Sequence, residues 1–170
     1  MDLKNFIRDI PDFPSPGILF RDITPLLRDS LAFKYVIDSM FQQFRADRLD
    51  AIVAVESRGF LFGAPLAYQM GKPLIPVRKQ GKLPFKTHKV EYLLEYGSSK
   101  MEVHIDAVHP GERVLILDDL LATGGTLAAA ARLVEMSGGK VDKIGTIIEL
   151  TGLKGRDLLK DYDIFSLVKY

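Results

Sequence analysis

The chain has 170 residues, 47% of them hydrophobic and 26% charged, with a formal net charge of +1. These are the proportions of one globular domain with a single good core, and a charge so near zero gives no global attraction to nucleic acid or to an anionic membrane. With no cysteine, disulfides and thiolate metal sites are excluded, which suits a reducing cytoplasm; the Met-Asp-Leu-Lys start lacks a signal peptide's apolar core, and no apolar run reaches the length of a membrane span.

Leu3, Phe6, Ile7 and Ile10 have helical spacing, which predicts a helix over Leu3–Ile10 that Pro11 stops. Pro14, Pro16 and Gly17 make an irregular connection to a short strand over Ile18–Asp22 and a connector over Ile23–Leu27. Prolines this dense before the first parallel unit suggest either a small subdomain laid over the main sheet or a rigid linker. Asp29 or Ser30 caps a helix predicted over Leu31–Ala46. Ala51–Val55 reads as a strand buried on both faces, ending at Glu56-Ser57-Arg58-Gly59 before a helix over Phe60–Met70. Gly63 and Ala67 in that helix are expected to allow close packing. Leu74–Val77 is a third strand. Arg78, Lys79, Lys82, Lys86, His88 and Lys89 follow with no acid between 78 and 90, and Gly81 and Pro84 mark a mobile loop within this basic run. Such a run is either a solvated face or a flap that neutralises a highly charged leaving group. Val90–Tyr96 and Lys100–Asp106, on either side of Gly97-Ser98-Ser99, read as a hairpin.

Val114–Leu117 is a continuous apolar run, again a strand buried on both faces, and Asp118 and Asp119 stand at its carboxyl end. Ala122-Thr123-Gly124-Gly125-Thr126 then turns the chain into a helix over Leu127–Met136, which ends in a glycine cap at Ser137-Gly138-Gly139. Adjacent glycines let backbone approach a ligand closely, and loop N–H groups with the positive end of a helix face an anion. Two carboxylates would repel a phosphate, so Asp118 and Asp119 suit hydroxyl groups beside it or a divalent cation. Two vicinal hydroxyls beside a phosphate describe a ribose 5-phosphate. Walker A would need Lys where Thr126 stands, and the dinucleotide fingerprint G-x-G-x-x-G is absent here. A strand over Ile144–Leu150, a short helix over Thr151–Lys160 and a last strand over Ile164–Val168 complete an α/β chain with a parallel, doubly wound sheet.

LDDLLATGGT resembles the 5-phosphoribosyl 1-pyrophosphate (PRPP) motif of the type I phosphoribosyltransferases. DFPSPGILFRDITPLL, ESRGFLFG, RKQGKLP, YLLEYG and ELTGLKGR extend the resemblance over nearly the whole chain, toward the adenine-specific members. The resemblance implies a single domain over 1–170, with an N-terminal hood over 1–29 and a flexible loop and hairpin flap over 78–106. It implies transfer of the phosphoribosyl group from PRPP to adenine, giving AMP and pyrophosphate, with Mg²⁺ carried by PRPP rather than by a dedicated metal site. Residue by residue, Leu19, Phe20 and Arg21 would hold adenine, Phe20 by stacking and its neighbours through backbone. Ser57, Arg58, Arg78, Lys79 and Lys82 would take the pyrophosphate, and Ala122, Thr123, Gly124, Gly125 and Thr126 the 5-phosphate. Glu95, Asp118 and Asp119 would be catalytic. Phe85 departs from the family's small residue at that place. The resemblance also implies a homodimer with no nucleic-acid or membrane partner. A 6-oxopurine substrate, or a non-catalytic PRPP- or nucleotide-sensing regulator, are the alternatives.

Overall fold

The structure, a computed structural model, describes residues 1–93 and 98–170. Its main sheet has seven strands: β3 (Ala51–Val55), β4 (Leu74–Lys79), β5 (Thr87–Leu93), β6 (Ser98–His104), β7 (Arg113–Leu121), β8 (Lys140–Glu149) and β9 (Ile164–Lys169), in the order β5-β6-β4-β3-β7-β8-β9. β4, β3, β7, β8 and β9 are parallel, and β6 and β5 continue the edge antiparallel. Helix α2 (Ser30–Phe44) and helix α3 (Arg58–Met70) pack on one face with Ile52, Leu115 and Leu117. Helix α4 (Gly125–Met136) packs on the other with Val53, Val55, Val114 and Ile116. Alternate residues of β3 and β7 therefore enter different cores, which is why these strands read as unbroken apolar runs.

From β3 the chain crosses through α3 to β4; from β7 it crosses through α4 to β8 on the opposite side. The order reverses between β3 and β7, and a crevice opens at their carboxyl ends. Asp29 caps α2 by accepting from the N–H groups of Leu31 and Ala32, at 3.0 and 2.8 Å. Gly63 lies so close to β3 that a Cβ there would stand 2.6 Å from the Ala54 methyl.

The first 29 residues form their own antiparallel pair, β1 (Arg8–Ile10) with β2 (Phe20–Asp22), followed by the short helix α1 (Thr24–Arg28). The helix expected over Leu3–Ile10 is instead a 3₁₀ turn, Leu3–Phe6, running into β1. Four apolar residues in eight fit a helix, but pairing with a segment ten residues away wins. The helix expected over Thr151–Lys160 is two 3₁₀ turns, Thr151–Leu153 and Gly155–Leu159, separated by Lys154 at φ +52°. In the hairpin, Ser98 and Ser99 belong to β6 rather than to the turn, and β5 begins at Thr87.

Candidate active site

At the reversal point, β7 outruns β3. The parallel pairing of these two ends at Ala54 with Leu117, while β7 continues beside β8 as far as Leu121 opposite Glu149. Asp118 and Asp119 sit on this overhang, only 7% and 4% exposed. Asp119 meets the Arg58 guanidinium at 3.0 Å, and Asp118 accepts the Asp119 N–H at 2.8 Å. Burial raises both carboxyls above the ordinary carboxylate range; the Asp119 charge pushes Asp118 further, while Arg58 restrains Asp119. A pair held this way is ready to receive positive charge or hydroxyl donors.

Two helices begin at this overhang, and neither has a side-chain cap: α3 behind Ser57 and α4 behind Gly124. The first N–H groups of a helix lack intrahelical partners, so two uncapped N-termini on one cleft make two anion seats. Gly124 has φ +88°, and a Cβ there would stand 2.5 Å from the Gly155 carbonyl, so both conformation and space demand glycine. Gly155 is held in turn by a clamp: Arg156 donates to both oxygens of Glu149, at 2.7 and 2.8 Å. That bidentate contact holds the Glu149 carboxyl down at about 2. Glu149 is thus a structural support of the Ala122–Thr126 loop.

The polar cleft so formed has a volume of about 550 Å³ and is lined by Ser57, Arg58, Lys79, Lys82, Asp118, Asp119 and Ala122–Thr126. The hairpin contributes Tyr92 and Ser99, and the turn just past β3 contributes Glu56. A second cleft of about 600 Å³ adjoins it across the same loop, sharing Leu120, Ala122, Thr123 and Thr126. Its outer wall is Leu19, Phe20 and Arg21, and its floor includes Leu150 and Leu153. Phe20 is fixed from one side by Phe13, edge-on at 5.1 Å, and its ring lies 5.2 Å from the Arg58 guanidinium. The Arg21 side chain turns away, paired with Asp9 and lying 3.8 Å over the Tyr170 ring, which leaves its backbone toward the cleft residues.

The sequence-predicted residues are thus brought together with two exceptions. Arg78 does not line the cleft: it spends its guanidinium on Glu56, at 3.0 and 3.3 Å, and on the Lys82 carbonyl at 3.1 Å. Glu95 lies outside the described residues. Leu120, Leu150 and Leu153 were not anticipated, because in sequence they are simply apolar; their nearness to one slot exists only after β7 and β8 pair. Phe85 finds a local reason, packing edge-on against His104 at 6.0 Å while its N–H reaches the imidazole at 3.3 Å.

An open α/β sheet with two uncapped helix ends and an acidic pair between them defines a class: proteins that hold a sugar carrying phosphate groups at both ends. A phosphoribosyl transferase domain model matches residues 27–169. A relative from Roseiflexus sp. (strain RS-1), an adenine phosphoribosyltransferase, is 56% identical over 99% of this chain and 98% of its own length. The crystal structure of the adenine phosphoribosyltransferase from Thermoanaerobacter pseudethanolicus superposes with a TM-score of 0.97 at 55% identity, covering 99% of this chain and 98% of that one. The Saccharomyces cerevisiae enzyme, solved with an imino-altritol bisphosphate and adenine, gives 0.91 at 42% identity, covering 98% and 96%. The chain belongs to the type I phosphoribosyltransferase family, within its adenine phosphoribosyltransferase branch.

Proposed function

We propose that this protein transfers the 5-phosphoribosyl group of PRPP to adenine, giving AMP and pyrophosphate. The observation that carries the reading is the pair of adjoining clefts, one polar with two helix N-termini, one largely apolar, meeting at Ala122–Thr126. The yeast relative's bound bisphosphate and adenine are the chemistry such a pair would accept. In the proposed reaction the bond from ribose C1 to the diphosphate breaks and a ring nitrogen of adenine takes its place on C1. The α4 N-terminus holds the 5-phosphate, and Ser57, Arg58, Lys79 and Lys82 hold the departing diphosphate. Asp118 and Asp119 bind the ribose hydroxyls and oppose the positive charge that grows on the sugar. One such charge pair at ~4 Å is worth about 4 kcal/mol at an effective dielectric near 20. Phe20 stacks on the base, with the backbone of Leu19 and Arg21 at its edge, and Glu95 exchanges a proton with it.

Among the described residues no three His, Asp or Glu side chains stand together as a metal cage. The reading leaves Mg²⁺ on PRPP, held by its diphosphate oxygens and water rather than by a dedicated set of side chains, while Asp118 and Asp119 serve the ribose hydroxyls. Bound there, the ion would neutralise charge on the leaving group. The same reading places the protein in the cytoplasm as a homodimer. Leu61 and Tyr68, seven positions apart on α3 and 44% and 90% exposed, support a subunit contact. No described helix is long and apolar enough to cross a membrane.

The test is a base panel with PRPP and Mg²⁺, offering adenine, guanine, hypoxanthine, xanthine and uracil separately and following nucleotide by absorbance. AMP from adenine alone is the expected result. Turnover of a 6-oxopurine would overturn the base slot, and no product from any base would overturn the reaction.

A further inference from the structure

Behind the polar cleft, a carboxylate outside its lining makes an unusual set of contacts. Glu102, on β6, is 2% exposed. One of its oxygens accepts the backbone N–H groups of Gly81, Lys82 and Leu83, at 2.9, 3.1 and 3.0 Å. The other accepts the Thr87 hydroxyl at 3.2 Å and lies 4.0 Å from the Lys89 ammonium. The turn it grips is the basic connection between β4 and β5. The neighbouring amides are engaged as well: Lys79 N–H donates to Glu56 at 2.9 Å and Gln80 N–H to the Lys100 carbonyl at 3.0 Å. Arg78 takes the Lys82 carbonyl from the other side. Every backbone N–H from 79 to 83 thus has an acceptor, three of them on one carboxylate, while the Lys79 and Lys82 side chains line the polar cleft.

A buried carboxylate costs several kcal/mol in desolvation unless charge-assisted bonds offset it. An apolar residue would fill the same space between strands without that cost, but it would leave the Gly81 and Leu83 amides unpaired and Lys82 with only its longer bond to the Lys79 carbonyl, at 3.3 Å. The carboxylate makes sense if the turn itself has to be held in one shape. We propose that Glu102 is a positioning residue for the transfer reaction: it fixes the 79–83 turn so that Lys82, with Lys79, meets the diphosphate of PRPP. The proposal rests on the function proposed above, and its reach is confined to the diphosphate half of the substrate.

The experiment compares the full-length protein with its Glu102→Ala and Glu102→Gln variants, reading KM for PRPP, KM for adenine, and calorimetric affinities for pyrophosphate and for ribose 5-phosphate. Glu102→Ala should raise KM for PRPP and weaken pyrophosphate by about 10- to 100-fold, the size of one lost charge-assisted contact. Ribose 5-phosphate, which lacks the diphosphate, and KM for adenine should stay within about 3-fold. Glu102→Gln, whose amide oxygen still accepts the three N–H groups, should retain most of the affinity. In a Lys82→Ala background, Glu102→Ala should add little, because its effect runs through Lys82. If Glu102→Ala does not fold, Glu102→Asp, one methylene short of the turn, carries the same expectation. Unchanged pyrophosphate affinity, or equal loss of ribose 5-phosphate, overturns the proposal. A wild-type protein that binds pyrophosphate but makes no nucleotide overturns the reaction alone, and the positioning role then stands or falls on the pyrophosphate series.

Discussion

Replacing Glu149 with Gln would test the clamp that supports the Ala122–Thr126 loop. The Arg156 guanidinium holds this carboxyl at about 2 against an ordinary value of 4.5. At about 1.4 kcal/mol per tenfold change in proton affinity, the full difference is about 3 kcal/mol. Arg156 is 41% exposed, so solvent screening lowers the expected loss to about 2 kcal/mol. The sign follows from the depressed value: the contribution is present above 4.5 and disappears as pH falls toward 2. Urea unfolding at neutral pH should therefore show a lower midpoint for Glu149→Gln with an unchanged slope, and the gap should narrow in an acid series. For a domain of this size the melting temperature should drop by about 4–8 °C. Because the clamp seats Gly155 against Gly124, KM for PRPP should also rise. Equal midpoints at neutral pH, or a gap that ignores pH, would refute an ionic clamp.

Asp118→Asn should have opposite effects on stability and activity. Burial and the Asp119 charge raise the Asp118 carboxyl, so the cost of ionising it in the folded protein builds as pH rises above the ordinary value of 3.8 and is complete once pH passes the raised value. The variant should be more stable than wild type at neutral pH, converge with it in acid, and lose most turnover; thermal scans at two pH values with one rate assay would check this. Wild-type kcat/KM for PRPP should fall on the acid side at a pH above the ordinary carboxylate range, and a normal carboxylate limb would contradict the buried pair. Gly63→Ala should destabilise by about 1–2 kcal/mol in denaturant titration, since crowding against Ala54 exceeds the helix-propensity gain of ~1 kcal/mol. Phe20→Ala should raise KM for adenine several-fold while leaving KM for PRPP near normal, because Phe20 borders the slot shared with Leu120 and does not line the polar cleft; an unchanged adenine KM would place the base elsewhere.

Local chemistry was largely legible in the chain. The strand at Ala51–Val55 is found at those bounds, and Asp29 caps α2 as its residue type suggested. The glycine turn sits where the small residues placed it, because that signal is carried by neighbours in sequence, while the strand expected to end at Leu117 runs on to Leu121, so the acidic pair lies within β7 rather than past its end. Elements whose partners are distant were harder to read. Leu3–Ile10 has helical spacing, yet half of it becomes a strand through pairing with Phe20–Asp22. Thr151–Lys160 breaks at Lys154 as the segment packs under the Ala122–Gly124 turn.

The sequence by itself determined the chemistry available: an anion loop, two carboxylates beside it, a cationic run, and a doubly wound sheet to carry them. Only the tertiary structure decided how that chemistry is divided. It turned Arg78 from the cleft to Glu56, gave Arg58 to both Asp119 and the Phe20 shelf, and set Glu102 under the basic turn. It also joined Leu120, Leu150 and Leu153 into one slot. The physical reason is that a residue type fixes what a side chain can bond, whereas its partner is chosen by strand register and burial across tens of residues.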